Sequence, residues 1–384
     1  MGPLAGIKVI EMAGLGPVPL TGMMMADMGA EVFLIERRSA ASAESTLHVS
    51  KRDMMRRGKT PIALDLKSDS AIELVLNLVE RANVLLEGFR PGVMERLGLG
   101  PDVCMARNSA LVYARLTGWG QDGPLAKHAG HDPNYIALTG TLYHSGSADQ
   151  PPQAPATLLG DCAGGAAMCA WGISSALIPA LMQGKGQVID SAIVDGTAYL
   201  ATFARSFYQA GHITDVRESS WMDGGAPWNR SYRCLDDKYI TVCSVESKFY
   251  AQLLQRLGLD KNPLFGEASQ WNKEQWLPQI QYLESLFGGE SRDHWANVFD
   301  GSDACVAPVL TYNEATEHPH IRSRGSYKNI DGEWYAQPAP RFSMTQTEPD
   351  WDDAAAQSAN QKLQELLQEL GLSADVLQAA GIDT

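Results

Sequence analysis

Three acid/base side chains sit where the chain changes direction. His131 lies in Gly130-His131-Asp132-Pro133-Asn134-Tyr135, at a turn just before an expected helix. Asp161 opens a long Ala- and Gly-rich helix, in Leu159-Gly160-Asp161-Cys162-Ala163-Gly164-Gly165. Glu246 follows a strand, in Val245-Glu246-Ser247-Lys248-Phe249-Tyr250. Imidazole and carboxylate groups are the common general acids and bases, so proton transfer is the chemistry these types allow. Each also has an ordinary local use: a surface or capping His, a helix N-cap Asp, a Glu paired with a helix dipole.

Cations gather at other turns. Arg37 and Arg38 close one strand, Lys51, Arg52, Arg56, Arg57 and Lys59 crowd one loop, and Arg90 follows another strand. In parallel α/β folds, ligands bind beyond the carboxyl ends of strands. The cluster therefore suits a small, multiply phosphorylated ligand; solvated surface cations are the plainer use. The cysteines Cys104, Cys162, Cys169, Cys234, Cys243 and Cys305 form no CxxC pair, and none has a His at ligand spacing. Reduced, buried thiols and no metal are expected. The first βα turn, Gly14-Leu15-Gly16-Pro17-Val18-Pro19, has Pro in place of the third Gly of a dinucleotide fingerprint. Its prolines remove N–H donors that a pyrophosphate would need. No P-loop or GxSxG segment is present.

The elements that would position these residues alternate in period. Strands are expected at Ile7–Glu11, Val32–Glu36, Pro61–Leu66, Asn83–Leu86, Ala110–Leu116 and Val188–Ile193. Helices are expected at Leu20–Met28, after a Ser68 cap, from Asp161 to about Met182, and over Gly196–Gly211. Such alternation predicts an α/β fold with a Rossmann-like parallel sheet covered on both faces. The texture changes after about residue 217. We expect a large domain over 1–217, a linker over 218–228, and a smaller α+β domain over 229–328. A connector and helical tail over 329–384 would return to the large domain. The small domain would hold strands Tyr232–Leu235 and Tyr239–Val242, and helices near Lys248–Leu257, Lys273–Leu286 and His294–Phe299.

The chain has 384 residues, is 45% hydrophobic and 20% charged, and carries a net charge of −14. That composition fits a folded globular protein. Its acidity opposes nucleic-acid binding. No apolar run reaches the ~18 residues that a membrane span needs. The start of the chain lacks a signal-peptide pattern and its end lacks a Ser-Lys-Leu address, so a cytoplasmic location is expected.

Together these segments resemble the family III CoA-transferase (carnitine/bile-acid CoA-transferase-like) group. The match runs from Leu4-Ala5-Gly6-Ile7-Lys8-Val9-Ile10-Glu11 through Glu87-Gly88-Phe89-Arg90-Pro91-Gly92 and Gly118-Trp119-Gly120-Gln121-Asp122-Gly123-Pro124. It continues through Gln183-Gly184-Lys185-Gly186-Gln187-Val188-Ile189-Asp190, Cys305-Val306-Ala307-Pro308-Val309 and Pro340-Arg341-Phe342-Ser343. Transferases of the group use an Asp nucleophile at the position of Asp161. Its racemases keep that Asp, add a His in the segment matched by Gly130–Tyr135, and bring a Glu, matched by Glu246, from the other subunit. The resemblance therefore implies inversion of the α-carbon of 2-methyl-branched acyl-CoA thioesters. His131 and Asp161 would be the two bases, with Glu246 beside His131 and an N–H near Asp132 at the enolate. It also implies an interlocked homodimer, phosphates held by Arg37, Arg38, Arg56, Arg57 and Arg90, and no metal or redox cofactor, CoA being part of the substrate. A CoA-transferase using Asp161 to carry an acyl group is the rival.

Overall fold

The computed structural model describes residues 2–37, 53–155, 157–345, 347, 361–368, 371, 374–380 and 382. Strand β1 (Lys8–Met12) leads into helix α1 (Pro17–Asp27), which begins after Gly16 at φ 71° with proline in its first turn. Proline there loses no helical hydrogen bond. Strands β2 (Glu31–Arg37) and β3 (Lys59–Leu64), helix α2 (Asp69–Arg81) and strand β4 (Val84–Glu87) follow. Ser68 precedes α2 but makes no cap; its hydroxyl pairs with that of Ser70. Short helices α3 (Val93–Arg96) and α4 (Pro101–Arg107) lead to β5 (Val112–Thr117), and α5 (Asn134–Leu138) comes next. A π-helical stretch, Leu158–Ala167, runs directly into α6 (Met168–Gln183). Strand β6 (Gln187–Ala192) passes without a loop into α7 (Ile193–Leu200).

The six strands form one parallel sheet in the order β3-β2-β1-β4-β5-β6. Alternate residues of each strand feed two cores. On one face Ile10, Phe33, Ile35, Leu85 and Tyr113 pack with Leu74, Val75 and Leu78 of α2 and with Leu366, Leu367 and Leu377 near the C-terminus. On the other, Val9, Val32, Val84, Val112 and Ala114 meet Val18 and Met25 of α1 and Cys169, Ile173 and Leu177 of α6. Covering both faces is what allows the strands to be apolar nearly throughout.

The helix Leu158–Gln183 is long and apolar enough, by length and composition, to cross a membrane. This corrects the expectation that no such segment exists. Its stripe Cys169, Ile173, Ala176, Leu177 and Ala180 is buried against the sheet, as in a core helix. The opposite side leaves Trp171, Ile178, Leu181 and Met182 more than half exposed.

The chain divides into two compact units: Met1–Thr139, Pro155–Leu200 and Lys328–Thr384 form the first, and Gly140–Ala154 with Ala201–Tyr327 the second. The division differs from the one expected. The helix read over Gly196–Gly211 breaks at Ala201, and its second half, α8 (Thr202–Gln209), belongs to the second unit. Residues 218–228 are part of that unit rather than a linker. Ala226 and Trp228 are fully buried, and the Asp223 carboxylate accepts the Ser219, Ser220 and Gly225 N–H groups. Polar, Gly-rich composition hid a turn stabilised by one side chain.

The second unit holds an antiparallel sheet of β7 (Asn229–Arg233), β8 (Tyr239–Cys243) and β9 (Val306–Val309). Helices α9 (Ser247–Leu257), α10 (Lys273–Phe287) and α11 (Arg292–Phe299) pack Tyr250, Leu253, Leu283, Phe287 and Trp295 against Tyr232, Ile240 and Val242. Strand β9 was not foreseen; its four residues show no period by themselves. The expected extended connector contains a two-stranded sheet, β10 (Tyr327–Ile330) with β11 (Glu333–Ala336).

Candidate active site

Within the first unit, the turn carrying His131 and the helix carrying Asp161 are joined by one carboxylate. An oxygen of Asp132 accepts the backbone N–H groups of Gly160 at 3.0 Å and Asp161 at 3.2 Å. The turn itself is closed by the His131 N–H donating to the Asn134 side chain at 3.1 Å and the Asn134 N–H donating to the His131 carbonyl at 2.6 Å. Tyr135 donates to the Gly130 carbonyl and packs edge-on against Trp119, with ring centroids 4.8 Å apart. His131 is exposed, while Asp161 is partly buried.

The Asp161 helix begins earlier than expected. Thr157 holds the N-cap position, and Asp161 lies within the first turn of the π-helical stretch. A local N-cap role for Asp161 is thereby replaced: Asp132 satisfies the first-turn N–H groups from a distant loop. This role of the Asp132 carboxylate was missed from sequence, because a cap usually lies next to its helix. Gly160 is required at this junction, since a Cβ there would meet the Asp132 carboxylate at 2.5 Å. The helix also crosses α7 backbone to backbone; a Cβ on Gly196 would lie 1.9 Å from the Gly164 carbonyl oxygen.

The Asp161 carboxyl is raised above the usual range by burial and then by the Asp132 charge, while His131 opposes the rise. Asp161 thus lies within the electrostatic reach of both Asp132 and His131. The phenol of Tyr135 responds to the same set: burial, Asp161 and Asp132 raise it, and Arg90 opposes them. Arg90 is exposed after β4, at the carboxyl edge of the sheet. Gly16, after β1, faces the same group, with Asp161 Oδ2 3.6 Å from where its Cβ would be. The sheet order reverses between β1 and β4, the place where open α/β sheets bind ligands.

The other expected cations are placed differently. Arg37 is exposed at the end of β2. Arg56 is ion-paired with Glu36 at 2.7 Å. Arg57 is 9% exposed, paired with Asp27, and donates to the Ala336 carbonyl. Lys59 is buried against Glu11 and the Pro19 carbonyl. Arg57, expected at a phosphate, is thus a strut inside the first unit. Arg38, Lys51 and Arg52 lie outside the described residues. Glu246 belongs to the second unit. It occupies the N-cap position of α9 without a side-chain cap bond, and it is exposed. Among the described residues no group of three or more His, Cys, Asp or Glu could hold a metal ion.

A Rossmann-ordered sheet with an acid/base cluster at its switch point fits the group resembled in sequence, and the whole chain bears this out. The chain belongs to CoA-transferase family III, whose family model matches residues 4–360. It is 40% identical to the alpha-methylacyl-CoA racemase of Mus musculus, over 96% of this chain and 94% of that protein. It is 38% identical to the Homo sapiens alpha-methylacyl-CoA racemase over the same shares, 96% and 94%. A CAIB/BAIF family protein from Brucella suis has the same fold, with a TM-score of 0.77 at 24% identity, covering 95% of this chain and 99% of that one. The chain is therefore an enzyme of this family, homologous to the racemases, and acyl-CoA compounds are the substrates expected of the family.

Proposed function

We propose that the protein inverts the carbon next to the thioester carbonyl of 2-methyl-branched acyl-CoA compounds. The observation that carries this reading is the Asp132 clamp, which ties the His131 turn to the Asp161 helix. Inversion removes a proton from one face of a carbon and returns one to the other, so it needs two acid/base groups held in fixed relation. His131 and Asp161 take these roles and exchange them with direction. Among the described residues the Asp132 N–H meets no acceptor, so it is available to the enolate oxygen. Burial and the Asp132 charge keep Asp161 a better proton carrier than an ordinary carboxylate. Arg90 serves the CoA phosphates, remote binding that supplies orientation. Glu246 supports His131 from the other subunit of a homodimer, and the exposed apolar side of α6, with Trp171 stacked on Tyr199, supports such an assembly.

A second reading has Asp161 attack the thioester and carry the acyl group as an anhydride, as a transferase would. The family's name and the position of Asp161 beside Gly16 favour it. One stereoisomer of a 2-methylacyl-CoA incubated in D₂O separates the two. Inversion with α-deuterium supports the racemase. CoA transfer to an acceptor acid with no α-exchange, and an acyl-Asp161 adduct trapped by hydroxylamine, would overturn it.

A further inference from the structure

Two cysteines in the second unit face each other across the sheet. In the β8–β9 register Val242 opposes Val306, and one step further Cys243 stands opposite Cys305. The Cys243 N–H donates to the Cys305 carbonyl at 2.9 Å. Cys305 itself precedes β9 at φ 54°, so this single bond joins the two residues at the end of the ladder. Antiparallel neighbours stand about 4.5–5.5 Å apart at Cα, inside the roughly 4.4–6.8 Å span of disulfides.

Side chains alternate along β8, which puts Cys243 on the same face as Tyr239. Ile240 and Val242 are fully buried, whereas Tyr239, Cys243, Val309 and Cys305 are exposed. Both thiols are therefore open to solvent. Burial raises both thiols; Cys243 and then Glu246 add to the rise at Cys305, and Glu246 adds to that at Cys243. Three other cysteines, Cys104, Cys169 and Cys234, are buried, and Cys162 is half-buried in the first unit.

We propose that Cys243 and Cys305 form a thiol–disulfide site, closed by a small-molecule disulfide such as oxidised glutathione and reopened by a dithiol. One thiolate attacks the oxidant's sulfur and expels a glutathione thiolate, leaving a mixed disulfide. The second thiolate attacks the protein sulfur of that bond and expels the other glutathione. Two electrons pass from the cysteine pair to glutathione disulfide, and the two thiol protons go to the released thiolates. Closure turns the Cys305 sulfur from the Asp303 carbonyl, where it makes a weak 3.5 Å contact.

The test uses the full chain, reduced, then incubated with oxidised glutathione, alkylated and digested. The expected result is loss of two of the six thiols, a mass lower by two hydrogens, and a linked peptide pair containing Cys243 and Cys305. Dithiothreitol should reverse all three. In Cys243→Ser the linked pair disappears and Cys305 retains a glutathione adduct. Stable adducts on either cysteine of the wild-type protein without a linked pair, or both thiols untouched while Cys162 reacts, would overturn the proposal.

Discussion

The carboxylate of Asp132 lies 3.2 Å from the backbone nitrogen of Asp161, so the structure joins two acidic residues 29 positions apart through one hydrogen bond. The bond orders the Asp161 helix, and the charge that makes it raises Asp161. Asp132 thus both holds the Asp161 helix and adds to the rise that burial begins.

Asp132→Asn separates these effects. The amide oxygen still accepts the two N–H groups, but the like charge is gone. Asp161 should then ionise at lower pH, and the acidic limb of kcat/KM should move down for the direction in which Asp161 is the base. Asp132→Ala removes the acceptor as well, at about 1–3 kcal/mol for the unsatisfied groups. pH–rate profiles and thermal melts of both variants check this; an unmoved acidic limb in Asp132→Asn would count against the coupling.

His131→Ala and Asp161→Asn should each abolish inversion of both stereoisomers, by about 10²–10⁴-fold in rate. Exchange should be less symmetric. The surviving base still removes the proton on its own face and returns deuterium there. Each variant should therefore keep slow α-exchange on one isomer, and the two variants on opposite isomers. NMR of recovered substrate in D₂O reads this directly.

Asp161 should destabilise the folded protein when ionised. Its folded-state proton affinity is raised, so the contribution to stability is fully present below the ordinary carboxylate range and is lost as pH rises through the raised value. Asp161→Asn should melt higher than wild type at pH 7, and the difference should shrink as pH falls through the raised value, levelling off below about 4. A constant difference across pH would contradict it.

Arg90 and Arg57 should behave in opposite ways. Arg90→Ala should weaken CoA-ester binding by about 1.5–3 kcal/mol, the loss of a charge-assisted contact, while the melting temperature stays near wild type. Arg57→Ala leaves Asp27 buried without its partner, which costs about 3–5 kcal/mol of stability. Calorimetric binding beside thermal melts distinguishes a ligand contact from a strut.

Mixing refolded His131→Ala and Glu246→Ala proteins tests a shared site. If Glu246 serves the His131 of another subunit, mixed dimers hold one intact site and regain activity. Mixed dimers shown to form, yet inactive, would argue against a site shared between subunits.

Much of the large unit was legible because parallel strands and amphipathic helices write their periods plainly. Val84–Glu87 and Val112–Thr117 are short apolar runs, and α2 shows a clear buried stripe. The unit boundaries were not legible. Trp228 is fully buried inside a stretch of linker-like composition, and the break at Ala201 interrupts one continuous helical pattern. At the site, residue types pointed to His131 and Asp161, but the Asp132 bond joins loops far apart in sequence, and no local spacing encodes it. Arg57 and Arg90 look alike in sequence; only burial tells a strut from an exposed cation.

The core beneath α2 has a bearing on how the protein is made. All six strands of the large sheet exist once Ala192 has been synthesised. Yet Leu366, Leu367, Leu377, Ala380 and Ile382, which fill that core, are synthesised more than 170 residues after Ala192. The Ser70 hydroxyl likewise waits for the Ala379 carbonyl. A nascent chain must therefore keep Leu74, Leu78 and their neighbours incompletely covered while the entire second unit emerges from the ribosome. Such a chain is a natural client for chaperones, and ribosome-bound chains arrested after Gln209 should be cut readily by protease within α2.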